Sequence, residues 1–228
     1  MQRAFTMTAL SVAVLASGAV AHGQAGRGRG AAAGPAVRPA LLYKEDWKQP
    51  PYTGALNDAN RVVTQDAVTN PNLELKLYGA DVKDVGVYNH EGRFDLWNGI
   101  VTSSVAITLR HKTSYVDLTG LARLRATLRT MSLHTLYPVV KLADGTYVAG
   151  SRGITTEGEF LQAEVAFGGM HWFKLNPEKV TTSTEVKDPD LSKVDEVGFA
   201  DLSPGGGHGV SGAMNISTIE LFAKAVPR

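Results

Sequence analysis

The residues best able to do chemistry are three arginines at strand spacing, Arg123, Arg125 and Arg129. A period of two turns them to one face of a sheet, because the apolar residues between them face the core. Guanidinium groups bind carboxylates and sulfates through paired, charge-assisted hydrogen bonds. The spacing therefore predicts a basic face that binds an acidic polysaccharide. The alternative is a solvated face whose arginines pair with nearby acidic residues.

Further candidates lie on the next predicted strand and close to it. If that strand returns in a hairpin, it brings more side chains to the arginine face, and the preceding strand lies nearby. Aromatic rings stack on the C–H surfaces of sugars, although tryptophans also pack in cores because of their large apolar area. The predicted carbohydrate-binding site comprises Arg123, Arg125, Arg129, His134, Tyr137, Lys141, His111, Trp97 and Trp172.

Motifs of catalysis are missing from the sequence. It contains no His-Glu-x-x-His, no Walker loop and no dinucleotide fingerprint, and residues 209–213 depart from Gly-x-Ser-x-Gly by one position. A retaining glucanase needs two carboxylates about 5–5.5 Å apart. Glu157 and Glu159 have strand spacing, but Gly158 between them favours a turn. We therefore predict binding without catalysis, with a glycoside hydrolase or a structural envelope domain as alternatives.

Metal-binding patterns are equally sparse. The chain has no cysteine, which excludes disulfides and thiolate metal sites, and its six histidines are scattered. We expect no cofactor. The acidic residues Asp188, Asp190 and Asp195 offer oxygen ligands for a structural calcium ion, and a solvated Asx turn is the alternative.

The first 40 residues differ in composition from the rest. A basic start, an apolar run over residues 9–21 and the sequence Ala19-Val20-Ala21 predict a signal peptide, residues 1–21, with an uncleaved anchor as the alternative. The run is shorter than the roughly 20 residues that span a membrane. Residues 22–40, rich in Gly, Ala, Arg and Pro, predict a disordered linker before a domain of residues 41–228. The protein is expected to be secreted or periplasmic.

The charge balance argues against one class of partner. Residues 1–40 contain four arginines and no acidic residue, so the remainder has 19 basic and 22 acidic side chains, a net charge of −3. Non-specific nucleic-acid binding needs clustered cations, and an acidic domain is poorly suited to it. We expect a polysaccharide or oligosaccharide partner, no nucleic acid and no membrane span.

Alternation of apolar and polar residues dominates the domain. It predicts strands around residues 73–78, 105–110, 123–129 and 161–167, and the apolar run 136–142 predicts a central strand. Asp144-Gly145 predicts a hairpin turn. Leu121, Leu124 and Leu128 also fit a helix face, which stays as an alternative. Many short strands with frequent turns predict an all-β, antiparallel β-sandwich, a jelly roll of about eight or more strands.

Three segments carry a resemblance to a known group: DLTGL at 117–121, PVVKLADGT at 138–146 and DLSKVDEVGF at 190–199. They resemble secreted bacterial proteins described as relatives of endo-1,3-1,4-β-glucanases. The overall pattern is similar to galactose-binding-like jelly rolls, the architecture of many carbohydrate-binding modules. The resemblance covers roughly residues 41–225. It implies export and a β-sandwich, and it supplies no catalytic residues.

Overall fold

The computed structural model describes residues 37–51, 62–90, 92–99, 101–132, 134–203 and 213–228. Within these ranges the chain forms fifteen strands and two short 3₁₀ helices, Gln65–Ala67 and Val82–Asp84. The strands are β1 (Leu41–Glu45), β2 (Leu73–Tyr78), β3 (Gly86–His90), β4 (Arg93–Trp97), β5 (Val105–His111), β6 (Ser114–Asp117), β7 (Arg123–Thr130), β8 (Leu136–Leu142), β9 (Tyr147–Gly150), β10 (Leu161–Ala166), β11 (Trp172–Asn176), β12 (Thr181–Val186), β13 (Val194–Asp201), β14 (Met214–Phe222) and β15 (Lys224–Pro227).

Two antiparallel sheets form a sandwich, which confirms the predicted fold class. A six-stranded sheet has the order β10–β7–β14–β4–β3, with β1 also paired to β14. A nine-stranded sheet has the order β12–β11–β9–β8–β13–β5–β2, and β6 joins β13 to β15. The predicted signal peptide (1–21), most of the predicted linker and residues 209–212 lie outside the described residues. Among the described residues, no helix is long and apolar enough to cross a membrane.

The core lies between the inner faces of the two sheets. Leu124 and Leu128 from β7 and Ile219 from β14 pack in one cluster with Val197 and Phe199 from β13. Burying a side chain of this size stabilises the fold by about 1.5–3 kcal/mol. Along β7, buried and half-buried residues alternate strictly, so the predicted period of two is confirmed and the helical alternative is wrong.

The hairpin turn predicted from the sequence is also confirmed. Asp144-Gly145 connects β8 to β9 in an antiparallel hairpin, and β8 is a central strand between β9 and β13. Leu161 departs from the prediction: its side chain is half exposed, because β10 is the edge strand of the six-stranded sheet.

One feature of the six-stranded sheet positions the candidate site. β1 and β4 both pair with the side of β14 that β7 leaves open: β1 with residues 219–222, and β4 with Asn215 and Ile216. The end of β1 therefore meets the start of β4 beside Ser217 and Thr218, where a bulge interrupts the β7–β14 register. The result is a gap in the sheet between two strands that point in the same direction.

Candidate functional site

The predicted hairpin between the arginine strand and the next strand is wrong. β7 pairs with β10 and β14 in the six-stranded sheet, whereas β8 pairs with β9 and β13 in the nine-stranded sheet. The chain crosses from one sheet to the other between Thr130 and Leu136. Arg123, Arg125 and Arg129 therefore do not share a face with His134, Tyr137 and Lys141.

Two of the nine predicted residues are core residues. Trp172 is 2% exposed and stacks on Phe167, with 6.3 Å between ring centroids. His134 is also 2% exposed, and its Nδ1 lies 2.5 Å from Oδ2 of the buried Asp201. Alternation along a strand does not say whether the ring of Trp172 points to solvent or to the core. His134 precedes β8 and lies on no strand.

Three more predicted residues belong to the nine-stranded sheet. Lys141 donates to the buried carboxylate of Glu196 at 3.1 Å, and Tyr137 lies half-buried on the same strand. The Nδ1 of His111 lies 2.8 Å from the hydroxyl of Ser114. These side chains stabilise the sheet locally, and the fold does not join them to the arginines.

Arg123 and Arg125 lie on the outer face of the six-stranded sheet, but acidic neighbours hold both. Arg125 contacts Glu164 at 3.1 Å and Glu220 at 3.4 Å, and Arg123 contacts Glu164 at 2.9 Å. Both guanidinium groups also lie over the ring of Phe222. These two arginines therefore pair with nearby acidic residues, as the alternative prediction states.

Arg129 has a different environment on the same face. Its Nε donates to Oδ1 of Asn215 at 3.0 Å, and its guanidinium lies 4.8 Å from the ring centroid of Phe160. Arg93, on β4, lies 5.1 Å from the same ring. Neither arginine contacts a carboxylate within ion-pair distance in the described ranges. We call Phe160, Arg93, Arg129 and His90 the Phe160 site; His90 lies 5.9 Å from the ring.

A buried carboxylate supports the Phe160 site from below. Asp95 accepts a hydrogen bond from Nδ2 of Asn215 at 2.5 Å, and Nδ1 of His90 lies 2.6 Å from it. Burial raises the pKa of the Asp95 carboxyl, although Asn215 and His90 act in the opposite direction. Nε2 of His90 lies 3.5 Å from a guanidinium nitrogen of Arg129. Because a guanidinium only donates, Nε2 accepts and Nδ1–H donates to Asp95.

A cavity of about 510 Å³ opens at the gap between β1 and β4. We call it the β1–β4 notch. It shares Arg93 with the Phe160 site. Its lining residues are Asp46, Trp47, Gly92, Arg93, Phe94, Thr127, Ser217 and Thr218.

Four glutamates of the domain, including the catalytic candidate Glu157, are either engaged in contacts or exposed in a turn. Glu196 accepts hydrogen bonds from Tyr78, Thr108 and Lys141. Glu157 is exposed and has a positive φ of 51°, in a turn with Gly158 as predicted. On the outer face of the six-stranded sheet, Glu164 and Glu220 both contact Arg125.

Two of the three acidic residues considered for calcium are engaged in other contacts. Asp195 contacts Arg110, Lys141 and Arg228, and Asp190 accepts two hydrogen bonds from Ser192 in a local turn. In the described part of the chain, no group of three or more acidic or histidine side chains is arranged to hold a metal ion.

The sequence patterns do not point to Phe160, Arg93, His90 or the notch. Arg93 lies on β4 and Phe160 directly precedes β10, two strands that do not pair with each other, and no periodic pattern links the two residues. The one signal available was composition, since Arg93 stands in the run Arg-Phe-Asp-Leu-Trp, where a cation, two rings and a carboxylate occur within five residues.

No protein-family model and no curated protein matches this chain. Among solved structures, it is similar to the family 11 carbohydrate-binding module of the cellulase Lic26A-Cel5E of Clostridium thermocellum. Identity is 10% over 68% of this chain and 85% of the module, with a TM-score of 0.39. A family 11 module from the same organism has been solved with a β-1,3-1,4-mixed-linked tetrasaccharide.

Two longer proteins have a similarly low likeness to this chain. The agarase AgWH50C matches with 10% identity over 68% of this chain and 24% of its own, with a TM-score of 0.41. PfGH50B matches with 12% identity over 68% of this chain and 23% of its own, also with a TM-score of 0.41. This chain thus spans about a quarter of the length of these two proteins. At such values the likeness says nothing about the ligand of this chain.

Proposed function

We propose that the outer face of the six-stranded sheet binds a polysaccharide that carries acidic groups, and that the protein does not cleave it. The observation that carries this proposal is the Phe160 site. There, two guanidinium groups flank one half-buried ring and contact no carboxylate in the ranges described. An acidic ligand would supply the anion that these two guanidinium groups do not contact.

Both guanidinium groups lie about 5 Å from the centroid of the same ring. Cation–π contacts of about 5 Å contribute roughly 0.5–1 kcal/mol each at exposed sites. Arg129 is further fixed by Asn215 and His90, so little side-chain entropy remains to be lost on binding. Arg93 donates to no described group, which leaves its N–H groups for the paired hydrogen bonds that carboxylates and sulfates form with arginine.

A second aromatic ring on the same face favours a sugar over a small anion. Trp97 pairs with Asn215 across β4 and β14, so it lies on the same face as Arg129, and it is half-buried. Rings of this kind present an apolar surface to the C–H groups of a sugar. The face thus combines an apolar ring with charged donors.

The proposal is tested by comparing two arginines on one strand. Arg129→Gln removes a guanidinium at the Phe160 site, and Arg125→Gln removes one that Glu164 and Glu220 already engage. We expect Arg129→Gln to weaken binding to polygalacturonate and hyaluronan about tenfold, the effect of losing one charge-assisted contact. Arg125→Gln should bind within about twofold of the wild-type protein. Affinity electrophoresis and calorimetry measure both.

Several results would contradict the proposal. Equal losses of affinity in Arg129→Gln and Arg125→Gln would show that the ligand does not bind preferentially at the Phe160 site. Binding to neutral laminarin and mixed-linkage glucan alone would exclude an acidic ligand. Sustained release of reducing ends from any of these polymers would favour the glycoside-hydrolase alternative.

A further inference from the structure

The β1–β4 notch continues the Phe160 site along the same face of the sheet. Arg93 lines the notch and also lies over Phe160, so a ligand that reaches one place is within reach of the other. A volume of about 510 Å³ lies within the range of roughly 300–1,000 Å³ that is typical of small-molecule sites. The notch is therefore large enough for a sugar ring.

The lining of the notch differs chemically from the Phe160 site. Three hydroxyl side chains, Thr127, Ser217 and Thr218, line its walls. Asp46 stands at its edge, where its exposed carboxylate pairs with Lys44 at 2.8 Å. A carboxylate accepts hydrogen bonds from sugar hydroxyls but repels a second acidic group. The edge of the notch beside Asp46 thus suits a ring with hydroxyl groups and no negative charge.

Trp47 gives an independent indication of a ligand. Its backbone has a positive φ of 53°, a conformation that costs a non-glycine residue of order 1–3 kcal/mol. The backbone N–H of Trp47 donates to Glu45 at 2.9 Å, which holds this conformation in place. The indole is 2% exposed, and its Nε1–H has no hydrogen-bond partner in the described part of the chain. Buried donors without partners are uncommon, and a polar group of a bound ligand is one explanation for such a donor.

We infer that the β1–β4 notch is a subsite for a neutral sugar ring adjacent to the acidic residue bound at the Phe160 site. This inference rests on the proposed function. It makes the ligand a polysaccharide in which acidic and neutral sugars occur next to each other. A chain of uronic acids alone would place a carboxylate beside Asp46, and a neutral glucan would leave Arg93 and Arg129 without an anion.

The test uses hyaluronan, in which acidic and neutral sugars alternate, and polygalacturonate, in which every sugar is acidic. Thr127→Phe fills the notch, and Thr127→Val removes one hydroxyl while keeping the shape of a β-branched side chain. Thr184→Phe, on the exposed strand β12, is the matched control. We expect Thr127→Phe to weaken hyaluronan binding about tenfold and Thr127→Val about threefold. Polygalacturonate binding should change less than about twofold in all three variants.

A second measurement follows the ligand directly. The chain has three tryptophans, so an NMR spectrum shows three indole N–H signals, assignable by Trp→Phe variants. Hyaluronan oligosaccharides should shift the Trp47 signal, and the core residue Trp172 should serve as an unshifted reference. Oligogalacturonate should leave both signals in place.

The outcomes separate the inference from the proposed function. If Arg129→Gln loses hyaluronan while Thr127→Phe binds it like the wild-type protein, the notch is not a subsite and the proposed function stands. If the wild-type protein binds neither acidic polymer, the proposed function fails and the inference fails with it. A Thr127→Phe variant that unfolds at a lower temperature than Thr184→Phe is replaced by Thr127→Val. Hyaluronan binding by Thr127→Val equal to that of the wild-type protein then overturns the inference.

Discussion

Glu45 is a fully buried carboxylate that ties two segments of the chain together. Its oxygens accept hydrogen bonds from the backbone N–H groups of Trp47, Thr69 and Asn70 and from the hydroxyl of Thr69, at 2.7–3.0 Å. Replacement by alanine leaves these donors without an acceptor. We expect Glu45→Ala to lower the free energy of unfolding by about 2–4 kcal/mol in urea titrations. The exposed Glu159→Ala should change it by less than about 0.5 kcal/mol, and an equal effect would contradict this role.

The pKa of the Asp195 carboxyl predicts how the free energy of unfolding depends on pH. Burial acts to raise its pKa, but hydrogen bonds from Arg228 and Arg110 outweigh that effect and hold the pKa below its usual value. Between the folded and unfolded pKa values the unfolded state binds more protons. The stabilisation is therefore complete above about pH 4 and is lost as the pH falls through the folded pKa.

Replacing Asp195 should remove this dependence. We expect the free energy of unfolding of Asp195→Asn to fall less between pH 5 and pH 2 than that of the wild-type protein, as measured by urea titration at each pH. The control Asp188→Asn changes an exposed aspartate whose positive φ suits asparagine. Parallel pH profiles for the wild-type protein and Asp195→Asn would show that other carboxylates carry the dependence.

Spacing predicted the orientation of the arginines but not their partners. Arg123, Arg125 and Arg129 do lie on one face, as the alternation indicated. Glu164 and Glu220 reach Arg125 from 39 and 95 residues away, distances over which a local pattern carries no information. Phe160 and Arg93 are likewise brought together by the fold. The sequence therefore predicts the strand that carries Arg129, but not the residues of other elements that complete the site.

At the scale of strands, β13 depends on a glycine. A Cβ added to Gly198 would lie 2.0 Å from the backbone oxygen of Ile107 and 2.6 Å from Cα of Thr108 on β5. These atoms belong to the paired strand and cannot move without disturbing it. We expect Gly198→Ala to destabilise the protein by more than about 2 kcal/mol. Gly168→Ala, where the added Cβ has no neighbour closer than 3.9 Å, is the control.

The outcome of that comparison is read from thermal and urea unfolding. Equal midpoints for Gly198→Ala and Gly168→Ala would show that β13 and β5 can separate without cost. A loss confined to Gly198→Ala would confirm that close backbone approach, rather than backbone entropy, requires the glycine.

The positions of the strands were easier to predict than their pairing partners. Apolar and polar residues that alternate with a period of two predict the buried face of a strand, and Asp144-Gly145 predicts a hairpin. Both predictions depend only on residues that are close in sequence. Sheet membership depends on where the chain crosses the sandwich. The sequence predicts that Val197, Phe199, Ile219 and Leu221 are buried in two adjacent strands. All four side chains are buried, but β13 and β14 belong to opposite sheets.

For the whole molecule, the two outer faces are not equivalent. On the nine-stranded sheet, a second apolar cluster that includes Val139, Leu175 and Val180 covers part of the outer face, and Glu196 and Asp195 engage Lys141 beside it. On the six-stranded sheet, the outer face carries Arg93 and Arg129 without acidic partners among the described residues. This asymmetry favours the six-stranded sheet as the binding face.

β1 should decide whether the sandwich forms as a folding unit. It contributes the buried Tyr43, the Glu45 carboxylate and pairing to β14, whereas residues 37–40 form no strand. We expect a chain that begins at residue 37 to unfold at the same temperature as one that begins at residue 22. A chain that begins at residue 46 should lose at least about 5 kcal/mol, which is comparable to the whole stability of many domains. Circular dichroism and urea titration measure both, and an unchanged midpoint for the shorter chain would show that the six-stranded sheet closes without β1.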